Sequence, residues 1–184
     1  MSTYPFNTFK DRRHSKYAVV IFVPKNIENI ITPFRERYDP IYNLIPGHLT
    51  LMFPFETSLS LDSLSAQIKM ETELIEPVKV ELDSINDFYP KTPVIFWELC
   101  ENKMLCELYY KLYSRLDIPI PYKQYIPHVT LAREISTHRV ETVKDNIVSY
   151  LPREKFTAMS LDLITPLMNE NWVSVRNFPF KKAE

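Results

Sequence analysis

One short pattern occurs twice in this chain, and it narrows the possible folds more than any other feature. Residues 48–51 read His-Leu-Thr-Leu and residues 128–131 read His-Val-Thr-Leu, separated by 128 − 48 = 80 positions in a chain of 184. Each follows an Ile-Pro loop, Ile45-Pro46-Gly47 before the first and Ile126-Pro127 before the second. The surroundings repeat as well. The apolar run 17–23 stops at Pro24 and reads as a buried strand, and Ile27, Ile30, Ile31, Phe34 and Tyr38 then follow helical spacing up to Asp39-Pro40. In the second half, strand-like 94–99 leads to a helix striped by Met104, Leu105, Leu108, Leu112 and Leu116. A further amphipathic stripe follows each motif: Leu61, Leu64, Ile68 and Ile75, then Val140, Val143, Ile147 and Leu151. Strand, helix, loop, motif strand, helix: this is an internal duplication at low identity.

Residues 78–85 add a strand, and the alternating runs 156–164 and 171–178 read as a closing hairpin. The expected class is α+β: a bilobal chain whose two pseudo-symmetric lobes each hold an antiparallel sheet covered by helices, with the His-x-Thr strands facing a central cleft. It is expected to form one domain over 1–184, with an extension at 1–16, a first half at about 17–90 and a second at about 91–184.

Strand residues i and i+2 share a face, roughly 6.5 Å apart. His48 and Thr50 therefore project together, as do His128 and Thr130, while Leu49, Leu51, Val129 and Leu131 point the other way into a core. If the halves pack with two-fold pseudo-symmetry, two imidazoles and two hydroxyls converge. Attack on a phosphodiester needs one group to take a proton from the nucleophile and another to give one to the leaving oxygen. Histidine suits either role at neutral pH, and threonine hydroxyls can hold the non-bridging oxygens. A metal site is the competing use of histidine, but neither H-x-H nor HExxH spacing is present and each pair offers one good ligand, so no metal or cofactor is expected. No glycine-flanked nucleophile turn supports a serine triad. A binding module that recognises a nucleotide or RNA end in the same cleft without turnover is the rival from another class. The other two histidines, His14 in the basic run 10–16 and His138 at a helix start, lack this context and read as solvated.

HLTL and HVTL, with the duplicated plan from about Tyr17 onward, resemble the paired motifs of the 2H phosphoesterase superfamily. That group includes RNA 2′,3′-cyclic phosphodiesterases, also called 2′-5′ RNA ligases. The stretch RYDPIYNLIPGHLTL (37–51) is similar to a bacterial subgroup with Arg-Tyr-Asp-Pro before the first motif. The resemblance implies a metal-independent hydrolase acting on a nucleotide or RNA terminus. It implies His48 and His128 as the acid–base pair, with His48 the acid, although the residues themselves leave that division open. Thr50 and Thr130 would hold the phosphate. HVTLAR makes Arg133 a candidate phosphate contact, although strand parity places it with Val129 and Leu131 unless the strand bends or ends there.

Around the motifs, Gly47 is the only glycine of the chain, which suggests a positive φ, a close approach of ligand to backbone, or a plain turn. Tyr42, Tyr122 and Tyr125 lie in the loops entering the motifs. Tyr122 and Tyr125 share theirs with Lys123 and are candidates to stack a base or contact substrate; Phe53 reads as core. Met52, on the His48 face, is expected where the cleft turns apolar. A formal net charge of −1 offers no global field for long nucleic acid, so recognition is expected to stop at the terminal nucleotide or two. Cys100 and Cys106 read as free thiols. No run reaches membrane-spanning length and the first residues lack a signal-peptide core, so a cytoplasmic protein with no membrane or obligate protein partner is expected.

Overall fold

The structure is a computed structural model that describes residues 15–181. The basic run 10–16 therefore lies largely outside the described residues, as does His14. Chain order is β1 (Ser15–Phe22), α1 (Lys25–Tyr38), β2 (His48–Thr57), α2 (Leu61–Thr72), β3 (Val78–Asp87), β4 (Ile95–Leu99), α3 (Lys103–Arg115), β5 (His128–Ala132), α4 (Val140–Val148), β6 (Glu154–Ala158), β7 (Ser160–Pro166) and β8 (Trp172–Pro179). Local chemistry sets several ends. Asp39, which precedes Pro40, is extended at φ −123° and ψ 103°, because the proline ring disfavours helical backbone before it, and α1 stops there. Ser60 caps α2 by accepting from the Ser63 N–H, and Asn102 caps α3 by accepting from the Leu105 N–H.

All eight strands form one antiparallel sheet in the order β6-β3-β4-β5-β2-β1-β7-β8. The four-strand halves are thus joined across β2 and β5 at the register pair Leu49↔Val129. The sheet does not divide where the chain does. β3 joins the β4–β5 side, and β7 and β8 return to the β1–β2 side. The run 156–164 is consequently not one strand. β6 pairs with β3 on one edge and β7 with β1 on the far side, with exposed Met159 between them. Buried Ala158 and buried Leu161 are three apart, so the in–out alternation slips by one residue at this crossing.

The buried stripes of all four helices (Ile27 and Ile31, Leu64 and Ile68, Leu105 to Leu112, Val140 to Ile147) meet Leu49, Leu51, Val129 and Leu131 in one continuous core. That leaves the alternate strand residues on the opposite face. A smaller cluster of Ala18, Val20, Ile45 and Ile164 sits there, with Phe22, Ile41 and Trp172 packed against it. It anchors the 39–47 loop beside the start of β2, where the first motif begins.

Candidate active site

Antiparallel pairing of Leu49 with Val129 places His48 opposite Thr130 and Thr50 opposite His128. The four side chains share the face away from the helices, and the approximate two-fold axis runs through the Leu49–Val129 pair. The imidazoles are diagonal neighbours, roughly 7–8 Å apart at their backbones. Both are held alike: His48 Nδ1 lies 2.7 Å from the Pro46 carbonyl, and His128 Nδ1 lies 2.7 Å from the Ile126 carbonyl. A carbonyl only accepts, so each Nδ1 carries the proton and each Nε2 lone pair is left for chemistry. Phe22 flanks His48 edge-on at 6.4 Å, and Phe96 and Phe88 flank His128 at 4.8 and 5.1 Å. Neither threonine hydroxyl bonds another group among the described residues, so both remain free for a ligand.

Burial lowers the pKa of both imidazoles. His48 falls to about 4, chiefly through desolvation of its ring, with the Arg35, Arg133 and His128 charges adding to the effect against the Pro46 carbonyl. His128 is lowered by burial and by Arg133, with the Ile126 carbonyl and the Glu98 carboxylate opposing. Glu98 is the cross-strand neighbour of His128, and Asn86 Nδ2 donates to Glu98 Oε2 at 3.0 Å. The Glu98 carboxylate thus opposes the depression at His128, a counterweight that His48 lacks.

Arg133 is brought to this site because β5 ends at Ala132, which releases it from strand parity. Its backbone N–H donates to the Tyr38 carbonyl at 2.9 Å, and both imidazoles feel its charge. Its Nε lies 2.8 Å from Asp39 Oδ1 but is not aligned as a hydrogen bond. Asp39, fully buried, also accepts from Arg35 Nε and an Nη, each at 3.1 Å, and from the Ile41 N–H at 3.3 Å. Arg35 is 2 % exposed and donates further to the Ile45 carbonyl. This network ties the end of α1, the 39–47 loop and the residue after β5 into one unit.

Gly47 is explained by packing. No glycine has positive φ, and a Cβ at this position would sit 2.4 Å from Ile31 Cδ1 and 2.6 Å from Glu28 Oε2. Helix α1 lies against the backbone here, and Glu28 Oε2 accepts from the Gly47 N–H at 2.7 Å. Neither a ligand approach nor a strained turn is needed. Gly47→Ala should destabilise the fold by about 1–3 kcal/mol through overpacking; a urea midpoint unchanged from wild type would contradict it.

Two other expectations are corrected. Met52 does not line the site face: a bulge in β2 opposite β1 pairs it with Val19 and turns it into the helix-side core beside Leu51. Tyr125 is not available to stack a base. It is buried, lies flat on Tyr109 at 4.2 Å, and donates its hydroxyl to the Thr50 carbonyl at 2.9 Å, bracing the motif strand from behind. Lys123 is exposed, its carbonyl accepts from the Tyr110 hydroxyl at 2.8 Å, and among the described residues its ammonium meets no carboxylate. Tyr122 is exposed with its ring edge-on to Phe53, which packs partly buried against the core.

A profile of the 2′-5′ RNA ligase superfamily matches residues 23–169. The chain belongs to that superfamily. Its relatives in this superfamily include a Bacillus licheniformis protein provisionally named a phosphoesterase, 31% identical over 89% of this chain and 97% of its own. A Geobacillus kaustophilus protein with the same provisional name is 27% identical over 89% of this chain and 95% of its own. Among solved structures, E. coli LigT complexed with 3′-AMP superposes with a TM-score of 0.62 at 15% identity, over 91% of this chain and 98% of that one. That likeness speaks for the superfamily's fold. Among the described residues of this family member, no group of three or more His, Cys, Asp or Glu could hold a metal ion, and no helix is long and apolar enough to cross a membrane.

Several polar residues at the site were not singled out from the sequence. Arg35 is in phase with Ile27 and Ile31 on the buried stripe of α1, and a charge at that position was a legible signal. Asp39 was visible as the helix stop before Pro40 and within Arg-Tyr-Asp-Pro, but not as the partner of two arginines. Glu98 alternates with buried Ile95, Trp97 and Leu99, the mark of a carboxylate on the other face of a buried strand.

Proposed function

We propose that this protein is a phosphoesterase that opens 2′,3′-cyclic phosphates, or cleaves 2′-5′ linkages, on RNA ends or small nucleotides, with His48 and His128 as its acid–base pair. The observation that supports this most is the two-fold quartet of imidazoles and hydroxyls, with both Nδ1 atoms pinned to carbonyls and both Nε2 atoms free. One neutral Nε2 takes a proton from water as the water oxygen attacks phosphorus. The P–O bond to one ribose oxygen breaks, and the other imidazole, protonated, supplies that oxygen's proton. Thr50, Thr130 and Arg133 face the negative charge on the non-bridging oxygens. The related fold of LigT, whose structure holds 3′-AMP, fits a nucleotide monoester at such a site.

The depressed imidazole pKa values favour one second reading, a module that binds a nucleotide end without turnover, because both rings are neutral near pH 7 in the free protein. The two readings separate on a panel of 2′,3′-cyclic nucleotides and cyclic-phosphate oligomers assayed in the presence of EDTA. Turnover supports the enzyme, whereas binding without product supports the module.

The same depression predicts a pH signature. Burial and Arg133 disfavour the imidazolium, whereas a bound phosphodiester anion favours it. In the free enzyme both titrations lie below the ordinary histidine value of about 6.5, so the bell of kcat/KM should peak on the acid side of that value. The bell of kcat, which reports the substrate complex, should lie at higher pH. The two apparent pKa values belong to the pair, since the rings interact. Superimposable bells centred above pH 7.5 would contradict this account.

A further inference from the structure

The quartet is close to two-fold symmetric, so whatever gives its histidines different roles must break that symmetry. The two carbonyl contacts do not, being of one kind and one length. The strands outside the quartet do. On the β1 side Phe22 lies opposite His48 and Val20 opposite Thr50. On the β4 side Glu98 lies opposite His128 and Phe96 opposite Thr130. The axis thus carries apolar Val20 onto apolar Phe96, but carries Phe22 onto a carboxylate. Directly opposed antiparallel residues hold their Cβ atoms about 4.5–5.5 Å apart on one face, so Glu98 stands beside the His128 ring.

Glu98 is held in place without being neutralised. Asn86 Nδ2 donates to its Oε2 at 3.0 Å, and among the described residues no Lys or Arg lies within ion-pair distance of it. The charged groups facing His128 are Glu98 from β4 and Arg133 beyond the end of β5, with the His48 ring diagonal to it on β2. β3 and the turn after it bring neutral Asn86 and Phe88. The groups acting on His48 are all cationic or titrate to a cation: Arg35, Arg133 and His128. Asp39, the carboxylate of the adjoining network, lies between Arg35 and Arg133 and is taken up by them. Only His128 therefore has a carboxylate as its cross-strand neighbour. A carboxylate favours the charged imidazole beside it, and a phenyl ring such as Phe22 adds to desolvation instead.

We propose that Glu98 is a positioning residue that divides the work of the pair: its carboxylate directs the proton to His128, which acts as the general acid, and leaves His48 as the base. The proposal rests on the phosphoesterase reading above, and it reverses the division that the family resemblance implies. In the substrate complex His128 Nε2 gives its proton to the leaving ribose oxygen as the bond to phosphorus breaks. His48 Nε2 takes a proton from the attacking water, and exchange with solvent resets the pair.

Glu98→Gln keeps an oxygen for Asn86 and removes the charge. The ring Cε1–H NMR signals can be assigned by their loss in His48→Ala and His128→Ala. In wild type His128 should titrate above His48, and Glu98→Gln should move the His128 titration to lower pH far more than that of His48. With a 2′,3′-cyclic nucleotide, Glu98→Gln should bring the basic limb of the kcat/KM bell to lower pH. Turnover at pH 7, on that limb, should fall about tenfold, a part of what a positioned acid is worth. Glu98→Asp should recover some of both. A 4-nitrophenyl ester of a 2′-deoxynucleoside 3′-phosphate has a leaving group that departs without an acid. It should restore more of the wild-type rate to His128→Ala than to His48→Ala. The opposite order would overturn the role of Glu98 and leave the enzyme reading standing. So would a His128 titration unmoved by Glu98→Gln in a protein that turns over the cyclic nucleotide. If wild type turned over no cyclic phosphate, both would fall.

Discussion

His48→Ala and His128→Ala should each lower turnover of a cyclic-phosphate substrate by about 10²–10⁴, the worth of one positioned proton transfer. The losses should not multiply in the double variant, because the two rings act as a unit on one phosphate and removing either already disables it. Thr50→Ala and Thr130→Ala should cost less, roughly 1–3 kcal/mol of transition-state stabilisation each, since each deletes one hydroxyl contact and leaves the proton inventory intact. Folding should be little changed in all four, because these side chains are half-buried on a face with no helix over it and the threonine hydroxyls hold nothing within the protein. Steady-state kinetics with thermal melts separates the two effects. Substantial activity in the double histidine variant would sink the mechanism.

Asp39→Ala should be among the most destabilising single changes outside the apolar core, by about 3–5 kcal/mol. Arg35 is 2 % exposed, and the substitution removes the carboxylate that accepts from it twice, leaving a buried guanidinium with only Glu28 at 3.6 Å for charge. The Ile41 N–H and Arg133 lose the same partner, so the loop entering the first motif and the arginine after the second come loose together. Breaking the exposed Lys69–Glu73 pair is the natural control, because ion pairs in full solvent contribute at most a few tenths of a kcal/mol. Urea denaturation of both variants checks the contrast, and a loss below about 1 kcal/mol in Asp39→Ala would contradict it.

Much of the site was legible because strand parity is a local property. Once His48-Leu49-Thr50-Leu51 is a strand with one face buried, imidazole and hydroxyl must share the other, and the same holds at His128. The duplicated order of elements likewise pointed to two matched motif strands. Parity fails wherever a strand is interrupted, and several departures from simple alternation lie at such interruptions. The bulge in β2 turned Met52 inward, and the end of β5 released Arg133. The slip at Met159 sent β6 and β7 to opposite sides of the sheet.

Gly47 shows the same division. Its rarity could be seen in the chain, but its cause is the approach of Ile31 and Glu28 from α1, a contact made only when the helix packs down. Tyr125 was visible as an aromatic in the right loop, and only the stacking on Tyr109 and the bond to the Thr50 carbonyl made it a brace. From sequence alone came most of the strands, the helices and the four residues of the quartet, because periodicity, proline and glycine act over a few neighbours. Tertiary structure decided which strands lie side by side, that the Leu49–Val129 pair brings the two motifs together, and that Arg35, Asp39 and Arg133 form one buried network. Those outcomes depend on the register and packing of segments some 80–100 residues apart (128 − 48 for the motif histidines, 133 − 39 for the ion pair), which no local pattern encodes.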